Sequence, residues 1–141
     1  MRRVLPVPAE VAFTLIGDLA GHDRWIPLTT IDAPPAPPRP GDLMEAVTTG
    51  FFVDRMRVEE VRAPEGGRPG LLRVRKIGPV LLGDVSIEVE PLGPGRCAVD
   101  WGEQVHLRGP LPRRFTTALL TPVLEGMTAL ALWRIERYLT R

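Results

Sequence analysis

Asp54, Lys76 and Glu103 are the residues of this chain whose types and placement could do chemistry. Each sits in a run where apolar and polar residues alternate with the period of two of a half-buried strand, and each falls on the apolar side of its run. Phe52, Asp54, Met56 and Val58 oppose Val53, Arg55, Arg57 and Glu59, and Leu72, Val74 and Lys76 oppose Arg73 and Arg75. Val99, Trp101, Glu103, Val105 and Leu107 oppose Asp100, Gly102, Gln104 and His106. Charges turned toward a low-dielectric interior must be paired, solvated or shifted in pKa. Two carboxylates and one ammonium around a pocket could therefore hold a proton for acid–base work, which makes these three the catalytic candidates. The competing reading is a salt-bridge set at the wet end of a cavity, holding strands in register. Lys76 is also the sole lysine among 18 basic side chains, and an ammonium is more readily deprotonated than a guanidinium.

Other chemistries find no support. Ser86 is the only serine, no Gly-x-x-x-x-Gly-Lys phosphate loop occurs, and the arginines are scattered with few aromatics among them, so triads, nucleotide sites and nucleic-acid binding are not expected. The single Cys97 has no disulfide or CxxC companion, and with only His22 and His106 available no metal centre and no cofactor is expected. His22, beside Asp23, reads as a solvent-facing residue.

The elements that must position the three candidates follow from turn signals. From Asp42 onward five strand-like runs, Leu43 to Thr49, Phe51 to Val61, Leu71 to Ile77, Val80 to Glu90 and Cys97 to Leu107, are separated by short Gly- and Pro-rich links. Such links make hairpins, hence an antiparallel meander; Gly83 is a candidate bulge. Arg3 to Val7, bounded by prolines, adds a first or edge strand, giving six to seven strands. Pro8 to Ile16 reads as a helix ended by Gly17, and Asp18 as the cap of a second short helix from Leu19 to about Trp25. Ile31 to Gly41, with its proline cluster, reads as a surface connector or a flap over a cavity mouth.

The longest amphipathic segment is Pro122 to Thr140, roughly 28 Å as a helix. Val123, Leu124, Met127, Ala131, Ile135 and Tyr138 share one face, with Thr121 as a plausible N-cap. Arg113 to Leu120 supplies either a lead-in helix or the first part of one helix kinked at Pro122. That apolar face needs cover, and the meander is the material available. The fold class is therefore α+β: a curved antiparallel sheet wrapped around a long C-terminal helix, with two short helices after the first strand.

The totals agree with one soluble domain spanning residues 1–141, with 44% hydrophobic and 25% charged residues and a formal net charge of +1. The apolar stretch after Arg3 is too short for a signal peptide or membrane span, so a cytoplasmic protein without membrane insertion is expected.

In this order of elements the chain resembles the helix-grip fold of the START-like (SRPBCC) superfamily, which includes polyketide cyclase/dehydrase-like proteins, Bet v 1 allergens and START lipid carriers. Val7-Pro8-Ala9-Glu10-Val11-Ala12-Phe13, then Asp18 and Arg24-Trp25-Ile26-Pro27, are similar to the opening of many bacterial members. Phe52-Val53-Asp54-Arg55-Met56 and Trp101-Gly102-Glu103 are similar to small actinobacterial members. The resemblance implies a deep apolar cavity, with Val123, Met127, Ala131 and Tyr138 on one wall and Met56, Val74, Ile87 and Trp101 on the other. The Bet v 1-type glycine-rich loop is missing, Gly50 alone separating Thr49 from Phe51, and no family catalytic motif matches residue by residue.

Three readings follow. The first is a carrier of a small hydrophobic molecule such as a lipid, polyketide or aromatic metabolite, with Asp54, Lys76, Glu103 and Tyr138 as its polar contacts. The second is a cofactor-independent cyclase or dehydratase in which an inner carboxylate takes a proton α to a carbonyl and Lys76 or Tyr138 stabilises the enolate. The third is an interaction protein with a packed core, dimeric through Trp133 and the proline-rich segment.

Overall fold

In the computed structural model, which describes residues 1–141, the alternating runs pair into one seven-stranded antiparallel sheet. Its strands are β1 (Arg2–Leu5), β2 (Thr29–Asp32), β3 (Leu43–Thr48), β4 (Phe52–Arg62), β5 (Gly70–Pro79), β6 (Leu81–Gly93) and β7 (Arg96–Leu107). Their order across the sheet is β1-β7-β6-β5-β4-β3-β2, so β2 to β7 form an unbroken meander and β1 crosses to pair with β7. Between β1 and β2 lie helix α1 (Ala9–Gly17) and a 3₁₀ helix (Leu19–Arg24); helix α2 (Arg113–Leu139) closes the chain.

Register decides which side chains reach the interior. Met56 pairs with Lys76, Lys76 with Gly83 and Gly83 with Val105; one row further on, Val58, Val74, Val85 and Glu103 line up. Because side chains alternate along every strand, these matched rows put all the predicted inner residues on the face turned to α2.

Several local expectations are corrected. Ile31 and Asp32 belong to β2, which pairs with β3, because the proline cluster that denies backbone donors to a sheet starts only at Pro34. Gly83 makes no bulge, since its pairings on both sides are regular. The glycine is needed for space: φ is +139°, and an added Cβ would stand 2.0 Å from the carbonyl oxygen of Gln104. The register shifts fall between β4 and β5: Ile77 of β5 is the extra residue opposite Arg55 and Met56, and Glu59 of β4 the extra residue between Val58 and Glu60. Asp18 does not cap the 3₁₀ helix; its carboxylate pairs with Arg24 at 3.3 Å. Thr121 is not an N-cap, because α2 runs unbroken through Pro122, and the Thr121 hydroxyl donates instead to the Thr117 carbonyl at 2.7 Å. Pro122 has no N–H for the ladder, and this hydroxyl occupies a nearby helix carbonyl.

The interior is divided in two. At the base, Leu5, Ile16, Val99, Leu132 and Ile135 are essentially without exposure, packed among β1, α1, β7 and the C-terminal half of α2. An Arg3–Glu136 ion pair and a 3.3 Å bond from Arg134 to the Trp25 carbonyl fasten α2 to β1 and to the end of the 3₁₀ helix. Toward the other end, the backbone N–H of Leu107 donates to the Thr116 hydroxyl at 3.3 Å, tying the start of α2 to the end of β7. By length and composition α2 is apolar enough to cross a membrane, with mean hydropathy 1.4 over its best window. In this fold Thr116, Thr128, Ala131, Leu132 and Ile135 are buried within the protein.

Candidate functional site

Between the two fastened ends, α2 stands off the sheet and a cavity of about 270 Å³ remains. Of its 26 lining residues 19 are hydrophobic, so the interior is an apolar space with a few placed polar groups. Leu120, Val123, Leu124, Met127, Thr128 and Ala131 supply the helix side. Met56, Val74, Ile87 and Trp101 supply the sheet side, with inner residues of β2 and β3 extending it.

Seven of the eight residues expected to line a cavity do so. Tyr138 is the exception: it is 48% exposed and stands edge-on to Trp25 at 5.5 Å between ring centroids. A single wheel averages over two halves of α2 whose buried sides differ. In the N-terminal half Leu120, Val123, Leu124 and Met127 face the cavity, while in the base Leu132, Ile135 and Leu139 turn inward and carry Tyr138 out. Trp133 is also outside, 43% exposed beneath the Arg137 guanidinium.

Asp54, Lys76 and Glu103 all line this one cavity. Asp54 and Lys76 are buried and joined by a short ion pair, and Lys76 Nζ also approaches Met56 Sδ at 3.8 Å. The pairing is what two buried charges require, since either alone would be costly. Asp54 Oδ1 has no partner. Glu103 makes no hydrogen bond to the pair and shares its β7 face with Trp101, whose indole N–H is also buried without a partner. Burial pushes the Glu103 carboxyl above its ordinary value; the Lys76 ammonium pulls it down and the Asp54 carboxylate pushes it up further. Glu103 is therefore a carboxyl disposed to keep its proton.

Sequence reasoning missed His22, which is buried and lines the cavity rather than facing solvent. Its Nε2 lies 2.6 Å from the Ile16 carbonyl oxygen, which can only accept, so Nε2 carries the hydrogen and the neutral ring keeps its lone pair on Nδ1. Burial pushes this imidazole below its ordinary value, against the opposing pull of the Ile16 carbonyl. The ring lies tilted against Trp101 at 5.7 Å. The missed signal is spacing: six residues from Ile16 through a tight corner return the ring to the end of α1.

A hollow between an antiparallel sheet and a terminal helix, with a few polar residues inside it, is the geometry of the site, and comparison with known proteins places the chain in a family. Residues 1–140 match the family described as polyketide cyclase/dehydrase and lipid transport. The chain belongs to this family. Its fold is the helix-grip fold of START-like proteins. A START superfamily protein from Mycobacterium smegmatis superposes with TM-score 0.72 at 18% identity, covering 99% of this chain and 96% of that one. A protein of Bacillus thuringiensis gives 0.69 at 13% identity, covering 100% and 97%. The Zhui aromatase/cyclase from Streptomyces gives 0.61 at 16% identity, covering 100% and 92%. At these identities the likeness is one of fold. No curated protein matches the chain by sequence.

Proposed function

We infer that this family member binds and carries a small hydrophobic molecule in the cavity between sheet and α2, working in the cytoplasm without a cofactor. The observation that carries the reading is the cavity: about 270 Å³, with 19 of 26 lining residues apolar. Ligand sites typically span about 300–1,000 Å³, so this one suits a single compact metabolite rather than a two-chain lipid. Mass spectrometry of the purified protein, first native and then denatured, tests it. A small apolar mass that travels with the folded chain and leaves on unfolding is expected. An empty protein that also fails to bind any of a panel of lipids and aromatic compounds would refute it.

The second reading is a cofactor-independent cyclase or dehydratase. It is favoured by one observation: a carboxyl with raised pKa, Glu103, faces the same space as the Asp54–Lys76 pair. Glu103 would donate a proton to a leaving hydroxyl or carbonyl oxygen, Asp54 would remove one α to the carbonyl, and Lys76 would stabilise the enolate charge. Tyr138 has no part in this, being outside the cavity. Recovery of a released molecule differing by one water from the compound added would move the protein to this reading.

A further inference from the structure

The hollow end of the molecule gathers four connections. Because the strands run antiparallel, the turn before β2, the β3–β4 hairpin, the β5–β6 turn and the link from β7 to α2 all fall at the same end of the sheet. Backbone bonds hold them in pairs: the Thr49 N–H donates to the Leu28 carbonyl at 2.8 Å, and the Arg108 N–H to the Val80 carbonyl at 2.8 Å. The pairing of Asp54 with Pro79 sets the two pairs side by side. Each connection turns a large apolar side chain out to solvent: Leu28, Phe51, Val80 and Leu111. Phe51 at 80% and Leu28 at 77% are the most exposed large hydrophobic residues of the chain.

Helix α2 continues this surface. Phe115, Leu119 and Val123 recur every fourth residue and so form one stripe, about 12 Å long, and each is more than half exposed. Glu125 is the one charged residue between Arg114 and Arg134, and 22% of the most apolar window of α2 is buried. A helix that is apolar on all sides is ordinarily covered on all sides. Here the sheet covers one side, and the fold supplies nothing for the other.

The charges at this end have one sign. Segments 25–29, 48–52, 78–82 and 107–120 contain no Asp and no Glu. They do contain Arg108, Arg113 and Arg114, all exposed and none in an ion pair. The formal net charge of +1 averages this away, because acids and arginines are mixed elsewhere, as at Arg39 and Asp42 or Glu65 and Arg68.

We propose that this end is a docking surface for an anionic lipid membrane: Leu28, Phe51, Leu111, Phe115 and Leu119 enter the boundary between headgroups and acyl chains while the three arginines meet the lipid phosphates. Apolar side chains flanked by cations are what an interfacial anchor requires. A second copy of the chain is the poorer occupant, since closing the patch on itself would bring two sets of unpaired arginines together. Leu132 and Ile135 keep the far half of α2 packed in the core, so the helix lies on the membrane and does not cross it. This surface goes beyond the carrier reading and stands whether or not the cavity holds a ligand.

The test is co-sedimentation of the whole protein with sucrose-loaded vesicles, made of phosphatidylcholine alone or with about one-third phosphatidylglycerol. Binding to the anionic vesicles is expected to be about tenfold or more tighter than to the neutral ones, and to weaken as salt rises. Arg113→Gln with Arg114→Gln should lower it about tenfold or more, and Phe115→Ser with Leu119→Ser should abolish it. All four side chains lie outside the cavity, so circular dichroism and thermal unfolding should match the parent. Arg62→Gln with Arg68→Gln, at the opposite end, should leave vesicle binding unchanged. Failure to bind either vesicle, or an equal loss in the opposite-end variant, overturns the proposal. So does a dimer by sedimentation that Phe115→Ser with Leu119→Ser splits, which would give the surface to a second copy. None of these results touches the mass-spectrometry test of the cavity, so the two readings fail separately.

Discussion

At the residue scale the buried Asp54–Lys76 pair is a stake in the fold as much as a piece of chemistry. Removing one partner strands the other charge in an apolar wall, so Lys76→Met should cost about 3–5 kcal/mol in urea unfolding. The double change Asp54→Leu with Lys76→Met should recover most of that loss, because no charge then remains to be desolvated. Glu103 makes the opposite contribution. Its folded pKa is raised above the unfolded value, so the native state holds the proton more tightly, and stability falls as pH rises from the ordinary carboxylate range through the folded pKa. Glu103→Gln has no charge to bury and should lack this decline, unfolding at higher urea than the parent at pH 7 and at nearly the same urea at pH 4. His22 runs the other way: its folded pKa is depressed, so stability is lost as pH falls below 6.5, the ordinary histidine value, toward the folded pKa. An NMR titration of the His22 ring should place its midpoint below 6.5.

At the element scale the glycines of β6 and α2 separate two roles that look alike in sequence. Gly83 has φ +139° and no room for a methyl group beside Gln104. Gly83→Ala should therefore cost more than about 3 kcal/mol by chemical denaturation, through strain and displaced strand pairing. Gly126 lies inside α2 with open space where a Cβ would go. Gly126→Ala should stabilise the protein by about 0.5–1 kcal/mol, because alanine loses less backbone freedom on entering a helix.

For the whole molecule, the division into packed base and hollow end predicts unequal penalties along one helix. Leu132, fully buried in the base, should cost about 2–5 kcal/mol when cut to alanine, since the packed surroundings cannot collapse onto the gap. Met127, half-buried on the cavity wall, already lacks neighbours on one side, and Met127→Ala should cost less in unfolding while changing ligand affinity more. Thermal unfolding with saturating ligand should rise accordingly, by the equivalent of about 2.7 kcal/mol at one hundred times Kd.

The sequence by itself determined the strands, their antiparallel order and which of their side chains face inward, because a period of two together with short turns leaves little freedom of register. Asp54, Lys76 and Glu103 were legible for that reason, and so were the sheet-side residues Met56, Val74, Ile87 and Trp101. Only the tertiary structure decided the rest. β2 begins at Thr29 because β3 offers it an edge, and local pattern carries no record of a partner. Tyr138 leaves the cavity and Leu132 enters the core because what faces α2 changes along its length, which no single wheel contains. His22 is buried because a corner of the chain folds it back onto the Ile16 carbonyl. The ion pair between Asp54 and Lys76, which commits the only cation in the cavity, joins two strands across the register shift at Ile77 and needs packing that buries both charges. Local patterns fix which way a side chain points; what it meets there is set by contacts between residues far apart in the chain.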